Sequence, residues 1–155
     1  MTKLAEKADS STGSLRMVRP AAPSILVVDD HADTRALLRY VFESHSYEVR
    51  EAEDGAEAVG LAASMLPDLI VMDSTLQQMD GLEATRRIRQ MGINGNVPIV
   101  FLSGHAQPQA RDTALSCGAD EYLVKPVSLD ELELVVEKYL FNGKHKSLEQ
   151  TNGHC

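Results

Sequence analysis

The chain has 155 residues, of which 43% are apolar, 25% charged and 5% aromatic, enough for one domain of ordinary size. No apolar run approaches the ~20 residues needed to cross a bilayer, and residues 1–9 lack the apolar stretch of a secretory signal. The net charge of −8 is unevenly spread: residues 1–22 carry four basic and two acidic groups, 142–155 two and one, and 23–141 nine and twenty. An acidic globule lacks the clustered Lys and Arg that bind phosphate backbones, so no nucleic-acid partner is expected. Cys117 and Cys155 are too few for a disulfide framework or a zinc site. The expectation is a soluble cytoplasmic protein with no membrane insertion.

Residues 1–22 mix Ser, Thr, Gly, Lys, Glu and Ala without a sustained period, which predicts a flexible N-terminal tail. The run Ile25-Leu26-Val27-Val28 follows, apolar and β-branched, as suits a strand buried on both faces. From Thr34 to Ser44, Leu37, Leu38, Val41 and Phe42 recur at helical spacing. Residues 47–52 alternate apolar and polar, which suits an edge strand. Helical spacing returns over 55–66 with Ala58, Val59, Ala62 and Leu66. A second buried strand is predicted at Leu69-Ile70-Val71-Met72, a helix over 81–91, and a strand at Ile99-Val100-Phe101-Leu102. A helix over 108–117 begins with Pro108 and stops at Gly118. The last strand, Tyr122-Leu123-Val124, is followed by a helix over 129–141. Ser128/Glu131, Asp54/Glu57 and Asp80/Glu83 are capping-box pairs at three of the helix starts. Residues 142–155 are polar and predict a second tail.

Five strand-then-helix repeats require parallel strands with helices on both faces, a doubly wound α/β domain over 23–141. Ligands of such sheets bind beyond the carboxyl ends of the strands. Those ends supply Asp29-Asp30, Asp73, Ser103-Gly104 and Lys125-Pro126. Each alone is ordinary, since an aspartate after a strand most often caps a helix and a lone lysine is most often surface. Together they place three carboxylates, a hydroxyl and an ammonium on one rim. Clustered carboxylates repel unless a cation joins them. Oxygen-only donors suit a hard ion such as Mg²⁺. With such an ion a carboxylate can serve as nucleophile toward phosphorus.

These motifs resemble the response-regulator receiver domain, the phosphoacceptor module of two-component signalling. The resemblance rests on Ile25–Asp30, Asp73 with Met79-Asp80-Gly81, Ser103-Gly104 and Tyr122–Pro126, and covers about 23–141. It implies a flavodoxin-like five-stranded sheet of order 2-1-3-4-5. Asp73 would be the phosphoacceptor, with Asp29, Asp30, Asp73 and the backbone carbonyl of Thr75 holding Mg²⁺, or Mn²⁺ in its place. Lys125 would pair with the phosphoryl oxygens, ahead of a peptide bond to Pro126 that is typically cis. Ser103 and Tyr122 would form the switch, the ring turning inward as Ser103 moves. The donor would be a histidine kinase or phosphotransfer protein. The output would be a partner protein bound by the face of the fourth helix, fifth strand and fifth helix, from a monomer or a phosphorylation-dependent dimer.

Gln77, where a proline is common, and Val127, where a phenylalanine is common, depart from the pattern without touching the chemistry. His31 could approach the metal but is expected to be a solvent-facing residue at a helix start, His105 an exposed loop residue, and Arg86, Arg87 and Arg89 a solvated basic face. A stand-alone switch is favoured over a receiver piece of a longer regulator with a DNA-binding or enzymatic output domain. A magnesium phosphohydrolase is disfavoured because Thr75 stands where a second acid is needed. An inert adaptor would have no use for the five polar groups.

Overall fold

A computed structural model describes residues 21–142. The remaining residues, 1–20 and 143–155, hold most of the two expected tails and lie outside the described residues. The elements follow in the order β1 (Ser24–Val28), α1 (Ala32–Ser44), β2 (Glu48–Ala52), α2 (Gly55–Met65), β3 (Leu69–Asp73) and α3 (Gly81–Arg89). They continue with β4 (Ile99–Ser103), α4 (Pro108–Cys117), β5 (Glu121–Val124) and α5 (Leu129–Glu137), which widens into a π turn over Lys138–Asn142. All neighbouring strands are parallel, in the order β2-β1-β3-β4-β5. β2 is an edge strand, as its alternation predicts.

Alternation along each strand splits the core into two layers. Leu26, Val28, Ile70, Met72, Ile99 and Phe101 pack beneath Ala58 and Ala62 of α2, Ala84 and Ile88 of α3, and Ala114 of α4. Ile25, Val27, Val71 and Val100 face the other way, against Leu38, Val41 and Phe42 of α1 and Leu132 and Val136 of α5. The alanines let α2 and α3 approach the sheet closely.

Three helix starts behave as their sequences require. Asp54 accepts a hydrogen bond from the Glu57 amide at 2.9 Å, Asp80 from that of Glu83 at 3.0 Å, and Ser128 from that of Glu131 at 3.0 Å. Helix α1 begins two residues before the predicted Thr34, at Ala32, because His31 takes the cap position with no side-chain bond to announce it. Leu37, expected to face the core, is half exposed. Helix α3 ends at Arg89 rather than Met91, since Gln90 and Met91 close i→i−3 turns instead. Cys117 is buried at the end of α4.

The largest departure is Arg89. The sequence predicts a solvated face, and Arg86 and Arg87 do sit outside, both pairing with Glu83. Arg89 instead turns inward at the amino edge of the sheet, its side chain 18% exposed. It donates to the carbonyls of Gly118 (2.8 Å), Gly95 (2.9 Å) and Val97 (2.6 Å), and meets Asp120 Oδ2 at 3.0 Å. Asp120 Oδ2 also accepts the Ile99 amide at 2.9 Å. Gly118 has φ 120°, and a Cβ there would stand 2.7 Å from Arg89 Cγ, so the turn needs glycine for both reasons. Losing a guanidinium from a buried carboxylate and three carbonyls costs about 3 kcal/mol or more. Arg89→Ala is expected to lower the unfolding free energy by that order, read by urea denaturation followed by circular dichroism.

Candidate phosphoacceptor site

Register builds the site before any side chain is considered. Val28 pairs with Met72, so Asp29 and Asp73, one residue further on, stand side by side on adjacent strands. Asp73 pairs with Leu102, and Ser103 with Val124. The last residues of β3 and β4 are therefore the expected site residues Asp73 and Ser103 themselves. Gly81 permits the chain after β3 to fold back closely, because a Cβ there would lie 2.6 Å from the Asp73 carbonyl oxygen. Nothing lies within 4 Å of where a Cβ on Gly104 would stand, so the rim beside Ser103 is open.

The structure brings Asp29, Asp30, Asp73 and Lys125 together. Lys125 Nζ donates to Asp73 Oδ1 at 2.8 Å and stands 4.0 Å from Asp29 Oδ2. The Lys125–Pro126 peptide bond is cis. Asp29 and Asp73 are 1% and 5% exposed, an unusual depth for carboxylates. Burial pushes the Asp73 carboxyl above its ordinary range; the Lys125 hydrogen bond pulls it down, and the charges of Asp29 and Asp30 push it up again. Asp73 thus resists ionising even with an ammonium beside it. Thr75 is exposed and lines a cleft of about 560 Å³ with Ser103, His105 and Tyr122.

The carboxylates suit a hard divalent cation. Asp30 Oδ1 is buried with no hydrogen-bond partner among the described residues. One oxygen of Asp73 is taken by Lys125, leaving the other for a further positive charge. Three carboxylates against one ammonium leave a negative excess that a cation would relieve.

Ser103 is fully buried and sits at a hydroxyl hub. Ser74 Oγ lies 2.9 Å from Ser103 Oγ, and the His105 amide donates to the same oxygen at 3.0 Å. Tyr122 Oη is 2.9 Å from Ser103 Oγ and 2.8 Å from the His105 carbonyl oxygen. A phenol has one proton, and a carbonyl only accepts. The arrangement that satisfies every contact has Tyr122 donating to His105 and Ser103 donating to Tyr122. The Tyr122 ring already points inward, 9% exposed, and stacks on Phe101 at 6.3 Å. The sequence reasoning missed Ser74, whose place directly after Asp73 is the only signal for it.

His31 sits at a helix start and faces solvent, as expected. Its ring is 74% exposed, yet Nδ1 stands 3.0 Å from Asp30 Oδ1 and 3.3 Å from Asp29 Oδ1. Arg35, not singled out in the sequence, donates to the Asp29 carbonyl at 2.8 Å and to Glu51 at 2.9 Å, bracing β1 against β2.

Comparison with known proteins names this arrangement. The family model described as the response regulator receiver domain matches residues 25–137, and the chain belongs to that family. A 14.6 kDa uncharacterized protein of Leptolyngbya boryana is 39% identical over 119 residues, covering 77% of this chain and 91% of the relative. The response regulator MprA of Mycolicibacterium vanbaalenii is 42% identical over 108 residues, 70% of this chain but 46% of MprA. The regulatory protein AtoC of Escherichia coli is 34% identical, with 25% of its length covered. Among solved structures, the chemotaxis protein CheY4 of Vibrio cholerae matches with TM-score 0.74 at 28% identity, over 77% of this chain and all of CheY4. The receiver domain of the sensor kinase PA1611 of Pseudomonas aeruginosa matches with TM-score 0.72 at 32% identity, over 77% and 98%; that structure has a magnesium ion in its active-site cleft. The family is a signalling switch of two-component systems rather than a substrate-turnover enzyme.

Two outcomes test this geometry. A carboxyl whose folded pKa is raised stabilises the fold fully below its unfolded pKa and loses that contribution as pH rises through the raised value. Without divalent metal, Asp73→Asn should therefore raise the melting midpoint at pH 7, the gain shrinking as pH falls and vanishing below about pH 3, where the carboxyl is largely protonated in both the folded and the unfolded chain. Tyr122→Phe removes the shared hydroxyl and should cost about 1 kcal/mol in urea unfolding.

Proposed function

We propose that Asp73 accepts a phosphoryl group from a phosphohistidine of a histidine kinase or phosphotransfer protein. The observation that carries the reading is the buried Asp73 carboxylate with Lys125 Nζ at 2.8 Å and two further carboxylates alongside. In the transfer, an Asp73 oxygen forms a bond to phosphorus while the P–N bond breaks, its electron pair staying on the imidazole nitrogen. Asp29, Asp30 and Asp73, with the Thr75 backbone carbonyl, would hold Mg²⁺, or Mn²⁺ in its place. Bound there, the ion supplies neutralisation of the phosphoryl oxygens. Lys125 supplies the same from the protein side, moving from Asp73 Oδ1 to a phosphoryl oxygen.

Ser103 provides the readout. To donate to a phosphoryl oxygen its hydroxyl must turn from Tyr122, and Tyr122 then keeps only its bond to the His105 carbonyl. The β4–α4 loop and the β5 rim are thereby coupled to the state of Asp73. A ligand shifts such an equilibrium only by its difference in affinity for the two packings. The output face of α4, β5 and α5 exposes Val124, Leu129 and Leu134, an apolar surface suited to a protein partner. The chain spans 46% of MprA and 25% of AtoC, which favours a second reading in which the same switch serves as the receiver of a longer regulator.

Intact-mass spectrometry after incubation with acetyl phosphate and Mg²⁺ tests the acceptor. The wild-type chain should gain one phosphoryl group, chelation should abolish the gain, and Asp73→Asn should gain none. Lys125→Ala should slow the gain on the order of a hundredfold, as expected for loss of a charge aimed at the transition state. Equal labelling of the Asp73→Asn protein would assign the acceptor elsewhere.

A further inference from the structure

We infer that His31 is an additional metal ligand of the carboxylate pocket, one that favours borderline divalent ions such as Ni²⁺ and Co²⁺ over Mg²⁺. The inference rests on the reading of Asp29 and Asp30 as cation ligands and adds a nitrogen donor to an all-oxygen set. Its starting point is position. His31 occupies the N-cap of α1, where a side chain ordinarily serves the helix, yet the ring makes no capping bond. The backbone amide donates to Asp29 Oδ1 at 2.8 Å and ring Nδ1 lies 3.3 Å from the same oxygen, so the residue is fixed with its imidazole nitrogen against the carboxylates.

The spacing matches coordination. An octahedral ion with bonds near 2.1 Å has adjacent donor atoms about 3.0 Å apart. His31 Nδ1 lies 3.0 Å from Asp30 Oδ1 and 3.3 Å from Asp29 Oδ1. Asp30 Oδ1 is buried and, despite this proximity, has no hydrogen-bond partner among the described residues. The imidazole nitrogen and the two carboxylate oxygens pair with one another at this spacing, and the same three atoms can face a common ion in place of that contact. The three residues together present one donor atom each within 4.8 Å. Coordination through Nδ1 requires the tautomer that carries its proton on Nε2.

The chemical consequence is selectivity. Imidazole adds affinity for Ni²⁺, Co²⁺, Cu²⁺ and Zn²⁺, whereas Mg²⁺ prefers oxygen and retains water. His31 therefore changes which ion the pocket holds more than whether it holds one. Side-chain substitutions here keep the backbone amide bond to Asp29 and leave an exposed position, so the fold is undisturbed.

The test is isothermal titration of the full chain with Mg²⁺ and, separately, with Ni²⁺, counting only the Ni²⁺ sites that saturating Mg²⁺ displaces. His31→Ala and His31→Gln should each weaken that Ni²⁺ binding by on the order of tenfold while Mg²⁺ affinity stays within about twofold. Equal loss of both ions, or no loss of Ni²⁺, would overturn the inference and leave His31 as an ion-pair partner of the carboxylates only. A wild-type chain that binds no Mg²⁺ would overturn the pocket reading itself, a result distinguishable from either of those.

Discussion

A lone ammonium set among three carboxylates governs this molecule. Lys125 lies at the end of the outermost strand and reaches across to Asp73 on the central one. The contact is short, but it does not bring the local charge to balance, and Asp73 stays harder to ionise than an ordinary aspartate. Such a site is electrostatically unfinished. It gains from any ligand set that brings positive charge together with a group needing it, as a metal and a phosphoryl group do jointly. The fold supplies the depth that makes the imbalance matter, since at 1% and 5% exposure Asp29 and Asp73 have little water to screen them.

The second constraint is the scarcity of protons around Ser103. Three neighbours converge on one buried oxygen, and only one proton distribution satisfies them all. A hub of this kind is discrete: Ser103 serves either Tyr122 or something on the open side toward Gly104. Discreteness is what a switch requires, because a network that adjusted gradually would transmit only part of a change.

Much of the fold is legible in the residues. Runs such as Leu69–Met72 and Ile99–Leu102 have one plausible environment, a sheet covered on both faces, and the capping aspartates mark where α2 and α3 start. The family resemblance likewise assembles Asp29, Asp30, Asp73 and Lys125, which the coordinates bring to one rim. What escapes the sequence is the direction of long polar side chains. Arg86, Arg87 and Arg89 are near neighbours in one helix, and nothing in their spacing says that the third turns inward at the amino edge of the sheet. His31 is a partial case: its place after Asp29-Asp30 lets it approach the same ion, but the distance to two carboxylates is set by the backbone turn after β1. The first turn of α1 is hidden because its residues are polar and its cap uses no side-chain bond.

Arg89 carries a mechanical implication. Its guanidinium ties α3 to the loop before β4 and to the turn before β5, all at the amino edge of the sheet, the edge opposite Asp73 and Ser103. The strands that bear Ser103 and Lys125 are thus anchored through their amino ends to α3, a tether that lies across the sheet from the polar rim and leaves the chemistry of that rim to other side chains.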